Sequence, residues 1–217
     1  MKLLMKEWKL CMHPMGYIML LCSALVLVPG YPYGVSCFYM GLAIFFICLT
    51  ARENHDAAFT LTLPVSRRDA VRARILFCTV LEVLDLLMIG VFVLVRKAIG
   101  EDMPNPAGLR AGLALIGDGM IIFTLFNMIF FPVYYRDINK PGKAFLFAAI
   151  AVFLWIILEI AGKYTVPFFR DVLDQPDPDF LGEKALFTLG ALALYAAGTA
   201  WSIQRSTKHF EALDLNL

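Results

Sequence analysis

Four carboxylates stand inside long apolar runs: Glu82 and Asp85, then Asp118, then Glu159. Groups of this kind can relay protons or attract a cationic passenger where they meet a wet cavity. Facing lipid, each ionised one costs about 2.5–3.5 kcal/mol near the bilayer centre, so they must face protein or water. Glu82 and Asp85 are three residues apart and share one helical face. Two readings stay open for them: an acidic lining suited to cationic or amphipathic cargo, or neutral carboxyls hydrogen-bonded to neighbouring helices. Asn127 reads as an interhelical hydrogen-bond donor, and Glu159 sits near enough to a span end to reach the headgroups.

Other chemistry lacks the residues to perform it. The histidines His13, His55 and His209 lie outside the apolar runs, and neither HExxH nor GxSxG occurs. The cysteines Cys11, Cys22, Cys37, Cys48 and Cys78 have no CxxC spacing and are odd in number, so no metal site or disulfide framework is expected. No Gly-x-x-x-x-Gly-Lys-[Ser/Thr] is present: Gly142-Lys143 and Gly162-Lys163 lack both the upstream glycine and the following hydroxyl. Without that phosphate cradle the chain has no P-loop for ATP. A net charge of +1 offers nothing to nucleic acid.

What positions the carboxylates follows from composition. The 217 residues are 60% hydrophobic and 17% charged, whereas soluble domains run near about 25% charged. The excess apolar surface needs lipid. The expected fold is an all-α integral membrane protein, a single transmembrane domain over 1–217, with about six spanning helices near 14–30, 35–50, 74–95, 111–133, 144–162 and 184–203. Pro29-Gly30-Tyr31-Pro32-Tyr33 is no small-residue cleavage site, which argues against a signal peptide. It reads instead as a tight turn with tyrosines at the headgroups. Residues 1–13 read as an amphipathic interfacial helix, with Lys2, Lys6, Lys9 and His13 toward headgroups, Leu4, Trp8 and Cys11 opposite, and Trp8 at the boundary. Most of the 19 Lys and Arg residues fall on one side of this topology: Lys2, Lys6 and Lys9, the Arg52 to Arg74 group, Arg136 to Lys143, and Arg205 with Lys208. The positive-inside rule puts that side, with both termini, in the cytosol. The acidic, proline-rich loop 163–183 then falls outside the cell.

The cytoplasmic loop 51–73 has more internal order than a connector needs. Asp56 is placed to cap a short helix carrying Phe59, Leu61 and Leu63, and Pro64 ends it. Ser66 with Asp69 three residues later forms a capping-box-like start for the next helix, whose first turns hold Arg67, Arg68, Arg72 and Arg74. Apolar residues on a cytosolic helix need lipid or a groove on another protein.

This order, Arg-Glu-Asn-x-Asp, an apolar helix, Leu-Pro-Val-Ser-Arg and a basic helix entry, resembles the first cytoplasmic loop of ABC-2 type transporter permeases. Lys6-Glu7-Trp8-Lys9-Leu10, the Asn127 to Tyr135 end of span four and the six-span count resemble short Gram-positive members, in the branch with phenol-soluble modulin exporter permeases. The resemblance implies a coupling helix that docks on a separate ABC ATPase, with Arg52, Glu53, Asn54, Asp56, Phe59, Leu63, Pro64, Arg67 and Arg68 as its contact set. It also implies a non-enzymatic permease of the bacterial cell membrane that exports an amphipathic peptide or similar amphiphile. No cofactor would bind this chain; ATP and Mg would sit in the partner ATPase, and a second permease copy or a related one would complete the assembly. The rival expectations are an ion- or proton-coupled secondary transporter using Glu82 and Asp85, and a permease for antimicrobial-peptide or drug resistance.

Overall fold

A computed structural model describes residues 2–12, 14–62, 64–100 and 105–213. His13 and Leu63 lie outside the described residues, as do the side chains of Lys2, Leu3, Leu4, Lys9, Leu10 and Leu61. Among the described residues eight α-helices follow one another: α1 Lys2–Cys11, α2 Pro14–Leu21, α3 Gly34–Glu53, α4 Asp56–Thr62, α5 Arg67–Ala98, α6 Leu113–Tyr134, α7 Pro141–Thr165 and α8 Leu181–Glu211. A 3₁₀ segment, Cys22–Leu27, continues α2, and a π-helical turn, Phe169–Leu173, follows α7. No strand occurs among the described residues.

The helices α3, α5, α6, α7 and α8 are each long and apolar enough to cross a membrane; the α2 segment, Pro14–Leu27, is shorter. It still runs the length of the bundle. Glu7 of α1 and the backbone of Leu213 both meet the first turns of α5, so both ends of the described chain lie at one end of the bundle, here the terminal end. Further along α5, Ser23 meets Asp85 at 2.6 Å and Arg96 reaches the Val26 carbonyl at 2.8 Å near the far end. The expected six passes therefore stand as five full spans and one short one. The short pass is stretched: eight α-helical and six 3₁₀ residues cover roughly 24 Å. Its tighter winding has a local cause, because Ser23 Oγ lies 2.7 Å from the Leu20 carbonyl as well as against Asp85.

Packing depends on small residues where helices touch. A Cβ at Gly198 of α8 would stand 2.7 Å from Thr124 Cγ2 of α6, and one at Gly119 of α6 would stand 2.7 Å from Leu86 of α5. The missing side chains let these backbones approach. Around them Phe126, Phe130 and Tyr134 form a stacked row along α6, with ring centroids 4.9 and 5.9 Å apart. The periphery reverses the pattern of a water-soluble protein. On α7, Ala144, Ala148, Val152 and Ile156 are buried, while Leu146, Phe147, Ile150, Phe153, Leu154, Ile157 and Leu158 are exposed. A continuous exposed face of this kind is stable against lipid, not water.

The far end is closed by the chain's own loops, the acidic 163–183 segment among them. Lys163 Nζ pairs with Asp174 at 3.0 Å, and it donates to the carbonyls of Asn105 and Gly108. Asp174 accepts from the Arg110 amide at 2.8 Å. Asp177 accepts from the Leu113 amide at 3.1 Å and pairs with Lys97 and Lys184 at 3.0 and 2.9 Å. Carboxylates here serve as caps for backbone amides that would otherwise be buried without partners.

Candidate functional site

Helix α4 hangs at the terminal end between α3 and α5. The chain reverses after α3 through His55, whose φ of 51° is left-handed. The α4 backbone then begins with the Phe59 amide donating to the His55 carbonyl at 3.1 Å. Asp56, expected to cap this helix, is instead its first residue, and its carboxylate turns inward. One oxygen meets Arg74 Nη2 at 2.5 Å and the other meets Lys6 Nζ at 3.0 Å. The reason is competition: two cations of other helices outbid a local amide for a carboxylate.

The same two cations hold α1. Lys6 also donates to Thr60 Oγ1 at 2.6 Å, and Arg74 Nε donates to Glu7. Lys6 therefore faces α4 and not lipid headgroups, correcting its assignment as an interfacial anchor. Trp8 is partly exposed and stands edge-on to Phe77 with centroids 5.9 Å apart. Glu7 and Arg74 are buried, so this clamp of α1, α4 and α5 has charges that depend on one another: removing one partner of a buried pair costs about 3–5 kcal/mol. Burial alone would raise the Asp56 carboxyl, but the Arg74 and Lys6 charges outweigh it and hold it below the usual carboxylate range. Burial pushes the Cys11 thiol up to about 12. Glu7, Cys11 and Asp56 bring ligand atoms within 4.8 Å of one another. The protein's own cation stands among them, since Arg74 Nη2 also lies 3.3 Å from Cys11 Sγ.

The other residues named from the sequence divide by direction. Glu53, Asn54, Phe59, Pro64 and Arg68 are exposed, Phe59 at 55%. Arg52 is exposed and lies 3.4 Å from the Asn139 carbonyl. Ser66 accepts from the Asp69 amide at 3.1 Å as the helix start requires. Arg67 is engaged within the chain, donating to the carbonyls of Phe210 at 3.0 Å and Leu213 at 2.7 Å. It completes the unsatisfied carbonyls at the α8 C-terminus. Beneath α4 lies a cavity of about 370 Å³, lined among others by Asp56, Thr60, Arg74, Tyr134, Tyr135 and Phe210.

The intramembrane polar residues are brought to different neighbours. Glu82 accepts from Asn127 Nδ2 at 2.9 Å and from the Tyr195 hydroxyl at 2.5 Å, joining α5, α6 and α8. Asp85 turns to Ser23, and Asp118 accepts from Trp155 Nε1 at 2.8 Å. Glu159 does not reach the headgroups: it is buried and accepts from the Leu109 amide at 2.6 Å. All four are enclosed by this chain's own helices and loops, and so do not line an open acidic passage. Asn127 is the interhelical donor expected, and Ser202 adds a bond to its carbonyl at 2.7 Å.

Sequence reasoning missed Glu7, Thr60, Tyr195 and Ser23. Glu7 was legible: it lies four residues before Cys11 on the apolar side of α1, where an acid needs a buried cation. Arg74 falls likewise between Val71 and Cys78 on the buried face of α5.

The family model for an ABC-2 family transporter protein matches residues 2–211. The chain belongs to the ABC-2 transporter family. It is thus a multi-pass membrane component of an ABC transporter, and ABC-2 permeases generally work with a separate ABC ATPase subunit. Searches of curated proteins and of solved structures find no match.

Proposed function

We propose that this ABC-2 chain is the permease subunit of an exporter that moves an amphipathic peptide, or a similar amphiphile, out of a bacterial cell. The single observation that carries the reading is α4: a short helix at the end of the bundle, clamped to α1 and α5 on its inner side and bare at Phe59 on its outer side. In this reading α4 is the coupling helix. Glu53, Asn54, Phe59 and Arg68 meet the ATPase, while Asp56 and Arg67 position that surface from behind. ATP and Mg bind the ATPase. Exposed Arg52, Arg68, Arg72, Arg136, Lys140, Lys143, Arg205 and Lys208 gather at the terminal end, which supports a cytoplasmic location for α4 and both termini. Two permeases, with a cell-membrane location and two-fold pairing, complete the transporter.

The cargo assignment leans on the resemblance to the peptide-exporting branch. The decisive experiment reconstitutes the chain with a purified ABC ATPase subunit. Glu53→Ala with Phe59→Ala should weaken complex formation at least tenfold, and an amphipathic peptide should stimulate ATP hydrolysis by the intact pair. Unchanged complex formation and ATP turnover in the double variant would overturn the coupling role.

A further inference from the structure

The outer face of α8 carries an exposed stripe from Gly190 to the terminal end: Gly190, Leu194, Ala197, Trp201, Arg205 and Lys208. These positions recur at three or four residues, so they share a face. The stripe changes character once. It is apolar up to Trp201, which is 45% exposed, and cationic from Arg205, one turn and about 6 Å further on. Tryptophan prefers the level where acyl chains give way to headgroups, which puts Arg205 at the height of lipid phosphates.

Arg205 has company there. Tyr135, at the turn between α6 and α7, packs edge-on against Phe210 of α8 with ring centroids 5.4 Å apart. This brings its neighbour Arg136 to the end of α8 that carries Arg205 and His209, close enough for both guanidinium charges to act on the imidazole. The nearby Asp137 is taken by Lys140 at 3.2 Å. Arg136, Arg205, Lys208 and His209 make no ion pair among the described residues. Like charges gathered from two elements without a counter-ion repel one another unless an anion joins them.

We propose that Arg136, Arg205 and His209, with Lys208 beside them, form a headgroup site for an anionic phospholipid whose acyl chains lie along the Ala197–Trp201 face of α8. Guanidinium forks suit phosphate oxygens, and basic pockets beside spanning helices hold anionic headgroups. The apolar stripe below selects a lipid over a soluble phosphate, because the chains have a face to lie on.

The test uses the purified permease alone, so its failure is separate from any failure of ATPase docking. Retention of phosphatidylglycerol against phosphatidylcholine is measured by native mass spectrometry in mixed micelles. The wild type should retain phosphatidylglycerol preferentially and gain thermal stability from it. Arg205→Gln should weaken retention about fivefold, and Arg136→Gln with Arg205→Gln roughly thirtyfold. Arg72→Gln with Lys143→Gln, equal in charge and at the same end, should leave it unchanged. Equal losses in the two double variants would overturn the site in favour of a diffuse basic surface. Equal stabilisation by inorganic phosphate would overturn the lipid as its occupant. Retention unaffected by any variant would overturn both, and would leave the patch to an acidic protein partner.

Discussion

At the far end, Lys163 binds two loop carbonyls and Asp174, while Asp177 gathers Lys97, Lys184 and a backbone amide. At the terminal end, the ion-pair partners of Arg74 and Lys6 among the described residues are side chains of α1 and α4. Both ends bury charge, but the partners differ. Backbone partners fix loops in place and close the bundle. Side-chain partners tie three helices together and leave α4 with a bare outer surface and a cavity behind it. The contrast separates a seal from a linkage: at the far end Asp177 ties α5 and α8 to a closing loop, whereas at the terminal end the Glu7–Arg74–Asp56 group ties α1 and α5 to α4, the helix whose outer side is bare.

The largest expected effect is on the linkage. Arg74→Met leaves buried Glu7 and half-buried Asp56 with Lys6 as their one remaining cation among the described residues, and it should cost about 3–5 kcal/mol of stability. Denaturation of the detergent-solubilised chain measures this, and ATPase stimulation by cargo should fall with it. At the seal, Asp177→Asn loses charge-assisted bonds to two lysines and should cost about 1.5–3 kcal/mol while sparing binding of the ATPase. If Asp177→Asn weakened ATPase binding as much as Arg74→Met, the two ends would not be mechanically distinct.

The same contrast explains what the sequence could and could not reveal. Spans two to six were legible because apolar length alone marks them. The α4 limits were legible from the Asp56 to Pro64 pattern and the Ser66–Asp69 start. The partners of Asp56 were not. Lys6 is 50 residues away and Arg74 is 18 away, and no local rule says that a distant cation will outcompete a backbone amide. The far-end seal was illegible for a similar reason: Asp177 pairs with Lys97, 80 residues away, and Asp174 and Asp177 also bind backbone amides, which carry no residue-type signal. The 3₁₀ winding of Cys22–Leu27 was not legible, because the Ser23 hydroxyl that accompanies it binds a backbone carbonyl.

Acid should act on both ends through one carboxylate each. Burial alone would raise Asp177 as it would Asp56, but Lys184 and Lys97 outweigh it and hold Asp177 below the ordinary range. A depressed folded-state value contributes stability that is complete above the unfolded value, about 3.9 for Asp, and is lost as pH falls through the folded one. Unfolding midpoints should therefore drop below about pH 4. Asp56→Asn and Asp177→Asn should each flatten part of that drop, and both together more. An acid limb unchanged in Asp56→Asn would show that the clamp does not hold a charged Asp56.

The smallest effect on stability belongs to the residue with the largest expected effect on partner binding. Phe59 is 55% exposed, so Phe59→Ala removes little packing and should move stability by less than about 0.5 kcal/mol. An aromatic side chain kept on an exposed helix is a candidate anchor for a partner's pocket, where such residues carry much of the binding energy. The variant should thus unfold with the wild type yet bind the ATPase at least fivefold more weakly in a titration of the two purified subunits. The reverse outcome, lost stability with full binding, would mean that Phe59 packs inward and that the outer side of α4 carries no anchor. The linkage at Lys6, Glu7, Asp56 and Arg74 would then be a second seal, alike in task to the one at the far end.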